Sequence, residues 1–505
     1  MPLMTRRRFA LASLSASRSG ERSFHVCLAP DALEADSGLL ALVRDAGVTD
    51  VWVAGFFYGH WYYTPDRIAR HFRAIKKAGL RPHAVQLPLG HPGDSLGAVA
   101  GQPPLIPPPH WSRAVRSDGR SQWGTSLHPP ATQENAAALR RMAAIGARDV
   151  FLDDDFRLAP GPGAIGGCYC DRHIDEFRRL HGLSASVGDQ IHNDVRTRAF
   201  TPLLRQWLDF HCSQLTASFR AMQKASPRLR LGIMVMYLGA EKAGIRLSDY
   251  SNVPFRVGEL MFRDRDFTPV KGKTDELFSA LFHRRFTPPE LAYSESTAFP
   301  ANELSAPNLA AKLAVSTLAD VRHTMFMSGL TPFPRAHWEV LKPAIQSHRT
   351  RHRKFAGLAP QGPFKHFWGE ASRYAGDDKP YSLFLAAGVP FEVCHALPAE
   401  GHVFLSDADA LTGTRSAATL VSRAVVPETL ADLFRLKARF RPSFEASSVP
   451  FVLDEKPAVL AWFPSARAAL LWNLSERPES FAIRLRSRDI PVQAGPLALV
   501  EMRDL

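Results

Sequence analysis

Three consecutive carboxylates, Asp153, Asp154 and Asp155, close the apolar run Val150-Phe151-Leu152 and are followed by Phe156 and Arg157. Gathering that much negative charge at one strand end costs free energy, which raises at least one pKa and lets an acid keep its proton near neutrality. By the two-residue period of a strand, Asp153 and Asp155 face one way and Asp154 the other. A further carboxylate, Glu295, sits near the end of a second β-type run, Leu291 to Thr297, before Phe299-Pro300 turns the chain. Two carboxyl groups flanking a glycosidic bond can cleave it: one delivers a proton to the leaving oxygen, and the other attacks or positions water. Each group also has a plainer reading. An Asp-rich stretch can cap a helix, and a lone Glu can belong to a surface loop.

Sugar recognition needs flat apolar faces beside polar groups. The stretch Phe56-Phe57-Tyr58-Gly59-His60-Trp61-Tyr62-Tyr63 supplies six aromatic rings and a histidine. Phe56 and Phe57 alternate across a strand and belong partly to the core, leaving Tyr58, His60 and Trp61 as the candidates for substrate contact. Trp111 and Trp123 fall in a long Pro- and Gly-rich insertion, where they either wall a site or pack a small core of their own. Arg157, after the strand-four aspartates, is a further candidate for substrate contact, and Gln86, Tyr237, Glu259 and Arg263 fall at or just beyond other strand ends. The tract from Phe262 to Asp266 reads more simply as a loop salt-bridge network.

These residues need a frame that brings strand ends together. From residue 24 to about 355, apolar β-type runs alternate with helix-period segments, the pattern of parallel strands joined by crossover helices. The runs are 24–30, 50–57, 81–90, 149–158, 230–239, 255–262, 291–297 and 324–330, with helical patterns at 37–46, 64–78, 132–147, 193–224 and 307–322. Eight such units predict a (β/α)8 barrel, whose C-terminal rim collects functional side chains. No Gly-x-Gly-x-x-Gly follows the first run, which argues against a dinucleotide site. The insertion 91–130 follows the third run and so belongs to that rim. Beyond the barrel (23–357), residues 358–445 read as a small α/β domain, with 382–388 helical and 402–405 a short strand. Residues 446–505 carry short strands at 458–463, 468–473, 481–485 and 497–502, predicting a C-terminal antiparallel β-domain of sandwich type.

The strand-four sequence from Leu152 to Arg157, followed by Gly167-Cys168-Tyr169-Cys170-Asp171-Arg172-His173 and Glu176-Phe177, resembles a segment of the family 42 glycoside hydrolases, the β-galactosidase type. There an Asp-Asn-Glu strand end is followed by Cys-x-Cys-x-x-Cys and an acidic-aromatic helix. The layout is similar too: a barrel, a small α/β domain resembling an amidotransferase fold, and a short β-domain. The resemblance implies that Asp155 takes the place of the acid/base Glu, Asp154 that of its Asn neighbour, and Glu295 that of the strand-seven nucleophile. It also implies that the chemistry needs no cofactor and that copies of the chain associate. Asp155 is one methylene shorter than Glu, about 1.5 Å of reach. Retaining sites hold the two carboxyls ~5–5.5 Å apart and inverting sites ~6.5–9.5 Å, so retention is favoured without being required. The resemblance further implies a structural zinc on Cys168, Cys170 and His173, the last replacing a Cys, with His91, His110 or His128 completing four ligands. An unmetallated thiol pair is the alternative.

Composition sets the limits. With 505 residues, 45% hydrophobic and 22% charged, the chain can build large cores, so disorder is excluded as its main theme. No run approaches the ~18 apolar residues of a membrane span. Five scattered cysteines exclude a disulfide-stapled module. The net charge of +13 invites a nucleic-acid reading, but the cations cluster only at Arg6–Arg8 and at 348–354, so a glycoside is the expected partner and nucleic acid is not. Thr5-Arg6-Arg7-Arg8-Phe9 before a short apolar run resembles a twin-arginine export signal, leaving periplasmic or extracellular and cytoplasmic residence both open. Besides hydrolysis, two readings stand: a non-catalytic carbohydrate-binding barrel that has lost the strand-four Glu, and a hydrolytic metal site built from the Asp cluster and histidines.

Overall fold

The computed structural model describes residues 21–90, 107–153, 156–421 and 426–505, apart from the side chain of Trp123. Eight parallel strands form first: β1 (Ser23–Leu28), β2 (Asp50–Phe57), β3 (Arg81–Leu87), β4 (Asp149–Leu152), β5 (Arg230–Met236), β6 (Phe255–Gly258), β7 (Ala292–Thr297) and β8 (His323–Met327). Each pairs with the next, and β1 pairs with both β2 and β8, so the sheet closes on itself. Closure buries every strand on two faces, which is why apolar residues dominate most of the runs. Several strands stop short of their expected ends, β4 at Leu152 and β6 at Gly258, because there the chain turns into rim loops that offer no ladder partner.

The helices differ from expectation where backbone chemistry interrupts them. The pattern at 193–224 predicts one helix, yet there are two, Val187–Thr197 and Pro202–Ala225. Arg198 ends the first in the left-handed region (φ 54°), and Pro202, which lacks an N–H, starts the second behind a Thr201 cap. The basic tract 348–354 falls in the last turns of the helix Arg335–Phe355. There His348 and His352 are buried and Lys354 pairs with Glu501, so part of this cationic run is spent on packing.

After the barrel, β9 (Phe364–Phe367), β10 (Phe391–Cys394), β11 (His402–Leu405) and β12 (Thr419–Val421) make a parallel sheet in the order β10-β9-β11-β12, and the helix Leu430–Ser447 follows. Two three-stranded antiparallel sheets complete the chain. One joins β13 (Phe451–Val452), β16 (Glu479–Leu485) and β17 (Arg488–Ala494); the other joins β14 (Ala458–Phe463), β15 (Ala468–Asn473) and β18 (Leu499–Met502). Their facing sides share a core of Leu460, Leu471, Phe481 and Ile483. The middle domain is seated on the barrel through buried charge: Lys242, beyond β5, meets Asp378 at 2.5 Å and donates to the Ser372 carbonyl, while Arg373 pairs with Glu241. Removing one partner of such a pair strands the other in a dry setting, at roughly 3–5 kcal/mol.

The N-terminal floor of the barrel is polar. Trp52 Nε1–H donates to His25 Nδ1 (3.1 Å), so His25 presents its other nitrogen to Ser23 Oγ, which also meets His323 Nδ1, each at 2.6 Å. Beside this chain, His83 bridges two carboxylates, Asp50 at 2.7 Å and Asp149 at 3.0 Å, which Arg81 and Arg230 flank. Burial opposes a charge on His83, but Asp149 and Asp50 outweigh it and raise its pKa. Burial pushes Asp149 up, yet His83 and Arg230 prevail and bring it down to about 2. Burial dominates at His25 and pushes it down to about 3. A histidine raised on folding contributes stability fully below its unfolded pKa of about 6.5, and that stability is lost as pH rises through the folded value. We therefore expect His83→Gln to destabilise by about 2–3 kcal/mol at pH 5–6 and by progressively less towards pH 9, read as the gap in thermal midpoint; a gap independent of pH would show that folding does not raise the pKa of His83.

Candidate active site

Alternation along β6 sends Phe255 and Val257 towards the helix layer and Arg256 into the barrel, where its side chain is 0% exposed. Its Nη2 contacts the carboxylate of Asp153, the first residue beyond β4, and its Nε lies 3.1 Å from Glu295 Oε2 on β7. One strand-four carboxylate, that of Asp153, and Glu295 of strand seven therefore meet at one guanidinium. Asp153 is held in place by its own N–H, which donates to the Gln86 carbonyl, and Glu295 accepts a bond from Thr297 Oγ1 at 2.7 Å. The methionine sulfurs of Met234 and Met325 each lie 2.9 Å from Arg256, and the guanidinium stands 5.1 Å over the Phe151 ring. Both acids are 4% exposed. Oppositely charged groups this close in a water-poor setting favour each other's ionised forms. Asp154 and Asp155 lie outside the described residues.

Sequence reading missed Arg256. Its signal was a single charge inside the short apolar strand Phe-Arg-Val-Gly, where burial demands a partner.

Other candidates separate into rim and interior. His60 and Trp61 form a short strand folded back on Phe56 and Phe57; both are half-buried on the rim, with Trp61 edge-on to Phe56 and exposed Tyr62 beside it. Tyr58 is buried, with φ 31°, and its ring lies 6.2 Å from that of Phe57. Tyr237 is likewise buried, behind β5, with its carbonyl accepting from Ser279. Arg157 is half-buried and lines a small cleft with Lys242 and Asp378. Gln86 bonds Asn135 in the helix layer, and Glu259 faces outward to Lys312 (2.8 Å), which also holds Glu276 (2.7 Å). Arg263 is half-buried and donates to the Phe299 carbonyl. Trp111 is buried in the cluster that includes the barrel core, with its indole N–H on Glu134 of the helix that follows the insertion. Trp123 lies in the short strand Ser121–Thr125, and its side chain is outside the described part.

The thiol motif closes on itself. His128, Cys170 and His173 offer three ligand atoms within 4.8 Å of one another. Cys168 stands next to them, accepting from the Val115 N–H at 3.4 Å. A hydrogen bond from Cys168, then His128 and His173, holds the Cys170 sulfur down at about 2 against the pull of burial. A thiolate between two imidazoles suits zinc, which would be structural here and tie the insertion to the loop after β4. Of the three histidines proposed to complete the set, His128 takes the place; His110 is committed to Glu134, and His91 lies outside the described residues.

No protein-family profile matches the sequence, and no curated protein matches it either. The fold does match. Its barrel, middle α/β domain and terminal β-domain match the architecture of solved β-galactosidases. Among solved structures, the β-galactosidase of Bacillus circulans sp. alkalophilus aligns over 96% of this chain and 99% of its own, with TM-score 0.61 and 8% identity. That of Rahnella sp. R3 aligns over 96% and 98%, with TM-score 0.60 and 11% identity. Gan42B, a family 42 β-galactosidase, aligns over 96% and 99%, with TM-score 0.60 and 9% identity. The chain thus shares the fold of these β-galactosidases along nearly its whole length.

Elemental analysis should find one zinc per chain, lost in Cys170→Ser and His173→Ala. Chelation should lower the thermal midpoint reversibly, zinc at a hundredfold over its Kd restoring about 2.7 kcal/mol; a metal-free protein with an unmoved midpoint would leave a bare thiol cluster.

Proposed function

We propose that the chain hydrolyses a glycosidic bond at the C-terminal mouth of the barrel, with Glu295 as nucleophile and Asp155 as general acid/base. The observation that supports this reading is the meeting of Asp153, two residues before Asp155, with Glu295 at Arg256 in the barrel interior. Arg256 favours the anionic Glu295 that attack requires, while the adjacent aspartates repel one another and so favour a proton on one of them. Asp154 would orient the substrate beside the acid, and His60 and Trp61 would offer a polar group and an apolar face on the rim. With two carboxyls near one sugar ring, retention is the expected stereochemical course.

A second reading is a barrel that binds carbohydrate without cleaving it. It is favoured by the depth at which Asp153 and Glu295 are tied to Arg256, and by an Asp at 155 in place of the Glu of the resemblance. A panel of aryl glycosides separates the two. Hydrolysis should fall at least about 10³-fold in Glu295→Gln and 10²-fold in Asp155→Asn, in line with loss of a nucleophile or a general acid. Undiminished turnover in both variants would remove the assignment, and calorimetric glycan binding with no product from the wild type would establish the second reading.

A further inference from the structure

Arg256 goes beyond the pairing expected of a barrel mouth, because a single side chain from strand six serves two carboxylates. The guanidinium cannot move freely: Met234 and Met325 sulfurs lie against its Nη groups, and the Phe151 ring lies beneath it. Both carboxylates reach it through neighbouring nitrogens, Asp153 at Nη2 and Glu295 at Nε. Among the described residues, the ionisable groups coupled to Glu295 besides Asp153 and Arg256 include the buried thiol of Cys27 on β1 and Glu259 beyond β6, the latter already held by Lys312.

We propose that Arg256 is a positioning residue that sets the charge and place of Glu295, and that Asp153 is its counter-ion and takes no part in proton transfer. The proposal rests on reading Glu295 as the reacting carboxylate. It assigns opposite effects to the two partners. Removing the guanidinium leaves Glu295 beside a like charge, so its anion becomes harder to form. Removing Asp153 leaves all of Arg256 to Glu295, so its anion becomes no harder to form. Loss of packing alone would not produce that contrast of sign.

The test uses full-length wild type, Arg256→Lys, Arg256→Met and Asp153→Asn, each checked for native near-ultraviolet dichroism. Glu295 is titrated by infrared carboxylate difference spectra, each protein against its own Glu295→Gln counterpart. Arg256→Met should weaken Glu295 as an acid by at least about tenfold, one pH unit. Arg256→Lys should restore more than half of that shift, and Asp153→Asn should leave the titration in place or move it to lower pH. An unmoved titration in Arg256→Met, or an upward shift of equal size in Asp153→Asn, would overturn the proposal. Should Arg256→Met fail to fold, the comparison of Arg256→Lys, shifted up, with Asp153→Asn, not shifted up, decides it. If the wild type hydrolyses a glycoside, the acid limb of kcat/KM should follow the same order, with KM changed less than about twofold. Absence of turnover in the wild type would remove the hydrolase reading, whereas the infrared titration would still decide the role of Arg256.

Discussion

One guanidinium buried between two carboxylates organises the interior of this barrel. Charge at that depth is stable only when its partners are fixed, since removing one member of a buried pair costs about 3–5 kcal/mol. Arg256 therefore constrains where β4 ends and which way β7 presents Glu295. The methionines and Phe151 around it complete the arrangement by leaving the guanidinium no alternative position.

The same logic recurs at three other places. At the floor, His83 joins Asp50 to Asp149 and so links β2, β3 and β4. In the helix layer, Lys312 joins Glu259 to Glu276 and fixes the loop beyond β6, whose Met261 N–H also donates to Glu276. Between domains, Lys242 joins the rim beyond β5 to Asp378. Each is a charge whose partners come from distant parts of the sequence, so each makes a barrel stave dependent on its neighbours. Apolar burial drives the collapse, at about 25 cal/mol per Å². The paired charges define which inward residue meets which, because a mispaired alternative would strand an ion in a dry interior.

Much of the architecture was legible before any coordinates. Eight apolar runs separated by helical periodicity identified the barrel, since burial on both faces of a closed sheet leaves a continuous hydrophobic imprint. The strand-four aspartates and Glu295 stood out because carboxylates end apolar runs there, and Cys168, Cys170 and His173 because of their spacing. Less was legible about orientation. Tyr58 and Tyr237 looked like rim residues from their places in the chain, yet both are buried, with φ of 31° and 50° where the strands end. A left-handed residue redirects its side chain, and strand alternation cannot anticipate that. His128 was one of three histidines that could join the thiols, and only the return of the insertion onto the strand-four loop distinguished it.

Sequence alone determined the class of the fold and the residue types available for chemistry, because periodicity, turn residues and charge placement are local properties of the chain. Tertiary structure alone decided that Arg256 of β6 binds Asp153 and Glu295, that Glu259 turns outward to Lys312, and that the basic helix end is partly buried. Those pairings depend on how far neighbouring staves are staggered when the sheet closes. Stagger is set by the packing of all eight strands together, so no single segment carries it.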